Sequence, residues 1–307
     1  MNERWMLARK TAALRIRAEL IQALRLFFID RASLEIETPV RIREVAPESH
    51  IDAIPAGDWF LQTSPELCMK RMLSAGYSQL FQIAKCFRCD ERGRRHLTEF
   101  TMLEWYRSGA NYFSLMEECE DLIIFAAARL GRGTALDFQG SSIDLSKPWE
   151  RISVAEAFSR HAPVTLEDAL ADKCFDEIMV SCIEPELGRK KPLFLYDYPV
   201  TLGSLARRKA ENPSVVERFE LYICGIELAN AFSELTDVRE QRRRFSLEEA
   251  HRRTRETPPY HYPEKFLNAL IEMPESAGIA MGIDRLAMIF ADVATIDDVV
   301  AFVPEQL

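Results

Sequence analysis

Two segments far apart in the chain carry residue types that could hold a nucleotide. The first, residues 87–106, reads as two apolar strands joined by a short cationic loop. Arginines and His96 in that loop could bind phosphates, and Phe100 offers a flat face for a base. The second, residues 278–285, is a glycine-punctuated strand that runs into a helix, with Arg285 at the junction. Neither a Walker loop nor a dinucleotide fingerprint occurs, so side chains on strands must hold the phosphates.

Two carboxylates suggest a metal site beside this nucleotide. Glu220 and Glu227 are seven residues apart, so one continuous strand would place them on opposite faces. A turn at Cys224-Gly225 would instead let them meet across a hairpin, and two carboxylates beside a polyphosphate suit Mg²⁺. The alternative is a pair of solvated surface glutamates, because most glutamates are exposed. Residue type alone leaves both interpretations open.

Composition limits the class of protein. The 307 residues carry a formal net charge of −9, which argues against a broad nucleic-acid surface. The seven cysteines are odd in number and scattered, as expected of free thiols in a reducing compartment. Cys86 and Cys89 form one C-x-x-C pair, and zinc is the alternative to structural thiols there. With no apolar signal core or membrane-length run, we expect a cytoplasmic protein without a membrane segment.

Hydrophobic periodicity and turn residues predict the order of elements. An apolar stripe at helical spacing predicts a first helix, and Ser64-Pro65-Glu66 is typical of a helix start. Most of the remaining chain alternates as strands or helices, but the pattern between about 131 and 215 is mixed and predicts an insertion subdomain. The elements expected are helices over 7–31, 66–75, 114–130 and 238–256, strands over 34–40, 79–89, 97–107 and 216–236, and a strand followed by a helix over 278–292.

These segments, in this order, resemble the catalytic domain of a class II aminoacyl-tRNA synthetase, and in particular lysyl-tRNA synthetase. Residues 28–39 are similar to motif 1, residues 87–106 to motif 2, and residues 282–285 to motif 3, while 218–237 resembles the lysine-site region. The resemblance covers essentially the whole chain. It implies one α+β domain over 1–307, with a mainly antiparallel sheet flanked by helices, and a homodimer through motif 1.

The resemblance is to the stand-alone members of that group. About thirty residues precede motif 1, too few for the anticodon-binding OB barrel of a lysyl-tRNA synthetase. The stretches 99–107 and 225–230 match the elongation factor P lysine ligases closely. This likeness implies activation of lysine or (R)-β-lysine with ATP and Mg²⁺, transfer to a lysine side chain of elongation factor P, and no anticodon recognition.

The resemblance also assigns roles by position. Arg88 and Arg285 would be the catalytic residues, with Arg88 on the α-phosphate and the substrate carboxylate, and Arg285 with His96 on the outer phosphates. Glu234 and Tyr106 would receive the distal ammonium of lysine. The whole expected site comprises Arg88, Cys89, Asp90, His96, Leu97, Phe100, Glu227, Leu228, Gly282 and Arg285 for ATP; Ser64, Pro65, Glu66, Glu104, Tyr106, Asn230, Phe232, Glu234 and Ala280 for the amino acid; and Glu220 and Glu227 for the metal.

Three positions depart from the family pattern. Cys89-Asp90 stands where Asn-Glu is usual, and Leu97 stands where Asn is frequent, so some adenine-side polar contacts would be made differently. Ala280 replaces a glycine on the floor of the amino-acid pocket. Its methyl group would disfavour an α-amino group, although one methyl is worth only about 1–3 kcal/mol of discrimination. The alternative is that Ala280 is simply a small packing residue.

Other functions remain open on sequence grounds. A truncated synthetase paralogue would charge tRNA, and a regulatory paralogue would bind an amino acid or adenylate without catalysis. Intact Arg88, Arg285, Glu220 and Glu227 count against the second alternative. Adenylate formation needs no protein nucleophile, so positioning and charge neutralisation would carry it. No residue is identified as the base for the transfer step, for which the α-phosphate could serve.

Overall fold

An eight-stranded sheet organises the chain in a computed structural model, which describes residues 3–254 and 259–307. The strand order is β1-β5-β6-β13-β12-β11-β10-β9, and only the two edge pairs, β1 with β5 and β9 with β10, are parallel. The strands of this sheet are Leu34–Glu35 (β1), Gln79–Phe87 (β5), Glu99–Ser108 (β6), Glu150–Ser153 (β9), Leu193–Pro199 (β10), Val215–Ile223 (β11), Ile226–Ser233 (β12) and Ser276–Gly282 (β13). The prediction of a mainly antiparallel α+β fold is confirmed.

Ten α-helices and two smaller sheets complete the described part of the chain. The helices are Glu3–Arg9 (α1), Thr11–Ile29 (α2), Glu66–Ser74 (α3), Tyr112–Arg129 (α4), Val154–His161 (α5), Leu166–Ala171 (α6), Phe175–Ile178 (α7), Val238–Thr254 (α8), Glu264–Ala269 (α9) and Ile283–Phe290 (α10). The smaller sheets are Arg41–Ile42 (β2), Pro55–Ala56 (β3) and Trp59–Leu61 (β4), and Ala135–Phe138 (β7) with Ser141–Asp144 (β8).

The two faces of the large sheet carry different kinds of residue, because successive side chains along a strand point to opposite faces. On one face, apolar side chains of β6, β11, β12 and β13 pack against helices α2, α4 and α10 in the main core. Leu103, Ala231 and Ile279 are examples, each at most 1% exposed. The intervening residues of the same strands, such as Glu104, Asn230 and Ala280, point to the opposite face, where the cavity described below lies.

Most predicted elements occur close to their expected bounds. The helix start at Ser64 is present: the Ser64 hydroxyl accepts a hydrogen bond from the Glu66 amide at 2.9 Å, and α3 begins there. The strand expected over 34–40 is shorter, since only Leu34–Glu35 pairs with β5 before the chain turns away at Pro39. The basic helix expected over 238–256 runs to Thr254, and its last two residues lie outside the described part.

The segment predicted as an insertion, about 131–215, needs correcting in one respect. Its strands β9 and β10 form the far edge of the large sheet, and β10 pairs directly with β11. Only the β7–β8 hairpin and helices α5–α7 lie outside the sheet. Those helices pack on β10 through a second hydrophobic core. The mixed pattern of the sequence therefore hid two strands of the central sheet.

None of the helices in the described residues is both long enough and apolar enough to cross a bilayer.

Candidate active site

A cavity of about 230 Å³ opens on the face of the large sheet opposite to helices α2, α4 and α10. Most of the predicted site residues line it. They are Ser64, Glu66, Arg88, His96, Leu97, Phe100, Glu104, Tyr106, Glu227, Leu228, Asn230, Phe232, Ala280, Gly282 and Arg285. The sheet therefore brings together residues from four regions of the sequence, including both segments that were expected to hold a nucleotide.

Strand register explains how these residues meet. One row across the sheet runs Glu104, Ala280, Asn230 and Glu220, each directly opposite the next on β6, β13, β12 and β11. The neighbouring row, two residues along each strand, runs Tyr106, Gly278, Phe232 and Arg218. β13 contributes only alanine and glycine to these rows. Because no large side chain rises from this strand, the cavity is deepest along β13.

Gly278 is required by this packing. A Cβ at that position would collide with the ring of Tyr106 and lie 2.7 Å from Oε1 of Glu234. Real Cβ atoms essentially never approach a neighbour so closely, and both neighbours belong to the expected amino-acid pocket. Any larger residue at Gly278 would displace them.

Arg285 organises one end of the cavity. Its guanidinium donates to the Glu227 carbonyl at 2.8 Å and to Glu227 Oε2 at 3.2 Å, and a third bond reaches the carbonyl of Arg95 at 3.2 Å. It also lies 2.6 Å from Nε2 of His96. A guanidinium can only donate, so Nε2 accepts and the proton of a neutral imidazole sits on Nδ1. Burial and the charge of Arg285 lower the pKa of His96, which favours this neutral form.

Arg88 and Phe100 form the other part of this end. The Arg88 guanidinium lies 5.1 Å from the centre of the Phe100 ring, and its NH1 is 3.7 Å from Glu91 Oε1. Its Nε is buried without a hydrogen-bond partner among the described residues. Arg88 is therefore held in place by long contacts only, and it keeps donors available for a carboxylate or phosphate.

The opposite end of the cavity is acidic. Glu104 is fully buried and accepts hydrogen bonds from Ser64 Oγ at 2.5 Å and from the Tyr106 hydroxyl at 2.9 Å. Burial, reinforced by the nearby charge of Glu66, raises the pKa of Glu104 to about 8. This carboxylate is thus oriented by two donors but lacks a cation of its own.

Lys70 is a residue of this site that the sequence reasoning missed. Its ammonium is buried on α3 and lies 2.6 Å from Glu234 Oε2, and it also forms an ion pair with Glu66. It stands 4.9 Å from the centre of the Phe232 ring. Burial lowers the pKa of Lys70, but Glu234 and Glu66 outweigh that effect and raise it. The available signal was its spacing, because positions four apart on a helix share a face and Lys70 follows Glu66 by four.

One ammonium cannot neutralise three carboxylates. Burial raises the pKa of Glu234 to about 8 even though Lys70 opposes the rise, and Glu66 and Glu104 add to it. Oε1 of Glu234 has no hydrogen-bond partner among the described residues. The raised pKa values of Glu104 and Glu234 show that one lysine does not suffice to keep all three carboxyl groups ionised, and further ammonium groups would stabilise their ionised forms.

The two expected metal ligands come together, but they differ in availability. A bulge at Leu228 of β12 brings Glu227 to the same side as Glu220, and the turn at Cys224-Gly225 has positive φ at both residues, as the hairpin requires. Glu220 accepts from Arg218 at 2.6 Å, Tyr198 at 2.5 Å and Tyr222 at 2.7 Å.

Burial, and then the charge of Glu227, raises the pKa of Glu220. The Glu227 side chain is 36% exposed, and Arg285 is its one partner within the described residues. Two repelling carboxylates beside the Arg285 guanidinium fit a Mg²⁺ ion, with Glu227 the more accessible ligand.

Five of the predicted residues do not line the cavity. Pro65 precedes α3, and Cys89 and Asp90 lie on the turn after β5, where the Cys89 amide donates to the Asp52 carbonyl at 2.7 Å. Glu220 and Glu234 lie just behind the cavity wall, in the contacts already described. Arg92, one of the loop arginines that were expected to bind phosphates, instead pairs with Asp297 and Glu305 at 2.9 Å each.

Comparison with known proteins accounts for this combination of elements. Residues 2–306 match the family model of class II tRNA synthetases (D, K and N). The chain belongs to this family. Both cationic segments of the class II domain reach the same cavity, one through Arg88 and Phe100 and the other through Arg285.

Several curated relatives share almost the full length of this class II chain. A protein of Pectobacterium carotovorum subsp. carotovorum is 36% identical over 98% of both chains, and one of Haemophilus influenzae is 38% identical over 93% of both. A third, from Proteus mirabilis, is 36% identical over 97% of both. All three are named elongation factor P–(R)-β-lysine ligase.

The cysteine pair of this class II domain does not form part of a metal cluster in the described residues. Cys86 is buried, and burial strongly raises the pKa of its thiol, so the thiolate that zinc needs is disfavoured. No group of three or more His, Cys, Asp or Glu side chains in residues 3–254 and 259–307 could hold a metal ion. This geometry supports structural thiols.

Proposed function

We propose that this chain uses ATP to activate (R)-β-lysine, or lysine, as an aminoacyl adenylate and transfers the acyl group to a lysine side chain of elongation factor P. Membership of the class II family and the names of the full-length relatives support ATP-dependent ligation. The single observation that carries the substrate class is the acidic end of the cavity. There, Glu66, Glu104 and Glu234 share Lys70 as their one counter-ion in the part of the chain that the structure describes.

The charge pattern of the cavity fits a diamino acid and ATP side by side. A carboxylate and phosphates would meet Arg88, Arg285 and neutral His96 at the basic end. Ammonium groups would meet the acidic end, where they would relieve the mutual repulsion of the buried carboxylates. An aspartate-like substrate would bring more negative charge to that end, so the pocket disfavours acidic amino acids.

In the first half-reaction, a substrate carboxylate oxygen would form a bond to the α-phosphorus of ATP as the bond to the β-phosphate oxygen breaks and pyrophosphate leaves. Arg88 would hold the carboxylate and the α-phosphate together, and its unpartnered Nε leaves it free to do so. Arg285 and His96 would receive the outer phosphates, and the ring of Phe100 would stack on adenine. These groups would act through positioning and charge neutralisation.

Mg²⁺ would supply further neutralisation of the phosphate charge. Glu227 would hold it, with Glu220 behind it and fixed by Arg218, Tyr198 and Tyr222. One or two carboxylates together with phosphate oxygens is the usual environment of this ion.

In the second half-reaction, the acceptor lysine nitrogen would form a bond to the carbonyl carbon of the adenylate, and AMP would leave. The acceptor must first lose its ammonium proton, and the α-phosphate of the adenylate, which is joined to the reacting carbonyl carbon through one oxygen, would accept that proton.

A homodimer is part of the proposal. Three apolar side chains near motif 1 are exposed: Leu26 by 37%, Ile29 by 51% and Leu34 by 46%. Three exposed apolar side chains within one short segment would suit a dimer interface. Sedimentation velocity would test the dimer, and cytoplasmic location remains a prediction.

The decisive experiment separates the two half-reactions. ATP–pyrophosphate exchange is measured with α-lysine and with both enantiomers of β-lysine. Transfer is then measured by mass spectrometry on elongation factor P, with a variant lacking the acceptor lysine as control, and on tRNA. We expect exchange with (R)-β-lysine and mass addition to intact elongation factor P only.

The other outcomes would support the alternatives. Aminoacylation of tRNA by this chain would identify a synthetase paralogue. A lack of ATP–pyrophosphate exchange with every amino acid, while ATP still binds, would identify a regulatory protein.

A further inference from the structure

A loop between β2 and β3, residues 43–54, covers the cavity and is fixed from outside by α8. Arg252 of α8 donates to the carbonyls of Glu48 and Ile51 at 3.1 Å each, and to Asp52 Oδ1 at 2.6 Å. Glu248 of the same helix accepts from the Ser49 amide at 2.9 Å. The backbone of this covering loop is thus tied to a helix, which leaves its inward side chains in defined positions.

Two of these side chains, Glu48 and Ile51, line the cavity. The Glu48 carboxylate accepts no hydrogen bond within residues 3–254 and 259–307. Burial, and then the charge of Glu66, raises the pKa of Glu48 to about 7, while Arg88 and Arg218 oppose the rise and Glu248 adds to it. Glu48 is partly exposed, and its carboxylate lines the cavity without a donor from the described residues, so a bound ligand can supply the hydrogen bonds that it accepts.

We infer that Glu48 binds the amino group that lies nearest to the carboxylate of the diamino-acid substrate. This inference rests on the proposed function. Glu48 lines the cavity beside Glu66 and Arg88, and Arg88 would hold the substrate carboxylate. The proximal amine is on the carbon next to the carboxylate in α-lysine and on the second carbon in β-lysine. If Arg88 holds the carboxylate, either amine must lie within a few bond lengths of Arg88, on the side that Glu48 closes.

The neighbouring carboxylate does not serve this amine alone. One oxygen of Glu66 is already bound by Lys70. An ammonium has three donors, so it needs more acceptors than the remaining oxygen of Glu66 provides. Glu48 supplies a second charged acceptor from the opposite wall, and it would make the covering loop part of substrate recognition.

The test compares substrates that differ only in the proximal amine. 6-Aminohexanoate keeps the carboxylate and the distal ammonium of lysine but has no proximal amine. With Glu48→Gln, we expect the KM for (R)-β-lysine in ATP–pyrophosphate exchange to rise about ten- to hundredfold, as for loss of a hydrogen bond to a charged group. The Ki of 6-aminohexanoate and the KM for ATP should change less than about twofold, because neither ligand reaches Glu48.

Two results would overturn the assignment of Glu48 while leaving the proposed function intact. One is an unchanged KM for β-lysine in Glu48→Gln. The other is an equal rise in the KM for β-lysine and the Ki of 6-aminohexanoate, which would mean a general effect on the pocket. Glu44→Gln is the matched control, because Glu44 belongs to the same loop but does not line the cavity. A wild-type protein that activates no diamino acid would refute the proposed function, and the role of Glu48 with it.

Discussion

Replacing Lys70 with methionine is the sharpest perturbation of the acidic end. Methionine has a similar length but no charge, so Lys70→Met would leave Glu66 and Glu234 without their shared cation. Lys70 and Glu234 are 1% exposed each. Removing one partner of a buried ion pair typically costs about 3–5 kcal/mol, and we expect the lower value because Glu234 can take up a proton. For a protein of this size, about 3 kcal/mol corresponds to a fall in Tm of about 6 °C.

The loss of stability caused by Lys70→Met should increase with pH. In the wild type, the pKa of Glu234 is about 8 in the fold, above the ordinary carboxyl value. Between the ordinary value and about 8 the folded state binds more protons than the unfolded state, so stability declines as pH rises and levels off above 8. Lys70 holds this pKa down, so in Lys70→Met the decline continues above pH 8. The difference in Tm between the two proteins should therefore be larger at pH 9 than at pH 7.

The assay is thermal unfolding followed by circular dichroism at both pH values. Lys85→Met is the matched control, because its pair with Glu99 is 3.4 Å long and both side chains are about half exposed. Such a surface pair contributes about 0–1 kcal/mol, so the control should keep its Tm within about 2 °C. A Lys70→Met protein as stable as the control, or a difference that shrinks at pH 9, would refute the charge balance described here.

Three further predictions address individual parts of the cavity. Gly278→Ala should reduce amino-acid-dependent exchange more than tenfold while calorimetric ATP binding persists, because its Cβ would displace Tyr106 and Glu234; normal exchange would contradict this packing. Arg285→Lys should raise the KM for ATP about ten- to hundredfold, since an ammonium cannot reproduce the fork of hydrogen bonds; an unchanged KM would remove Arg285 from the nucleotide site. The KM for the diamino acid should fall as pH rises from 6.5 to 8.5, because Glu104 ionises with a pKa of about 8, whereas a flat profile would show that this ionisation is irrelevant to binding.

The sequence predicted local features well where one residue type determines the backbone. Cys224-Gly225 marked the hairpin that brings Glu227 to Glu220, and Ser64 marked the start of α3. Asn230 and Phe232, two residues apart on β12, lie on one face of the sheet, as the alternation of side chains along a strand requires. These predictions needed only period-two geometry and turn chemistry.

Features that depend on long-range contacts could not be predicted in the same way. Lys70 looked like an ordinary basic residue of a helix, and its role arises only because β12 places Glu234 behind that helix. Arg92 looked available for phosphates until the C-terminal segment supplied Glu305 and Asp297 as partners. Strand β9, at the edge of the sheet, is only four residues long, and β10 ends at a proline, so neither was recognised within a segment of mixed pattern. In each case the deciding neighbour is distant in sequence.

The row geometry of the sheet also bears on how α- and β-amino acids could be distinguished. Gly278 cannot change without moving Tyr106 and Glu234, so the distal end of the pocket is fixed by packing. Ala280, directly opposite Glu104 and Asn230, is the one position of the floor where a methyl group faces the cavity between two polar side chains.

Glu48 closes the same region from above, through a loop that the sheet does not constrain. Discrimination at the proximal amine would therefore arise from a steric element in the sheet and an electrostatic element in the covering loop. Because both elements would act on the same amine, Ala280→Gly and Glu48→Gln should have non-additive effects on the ratio of β-lysine to α-lysine activation, and additive effects in a double-mutant cycle would show that they act on different groups.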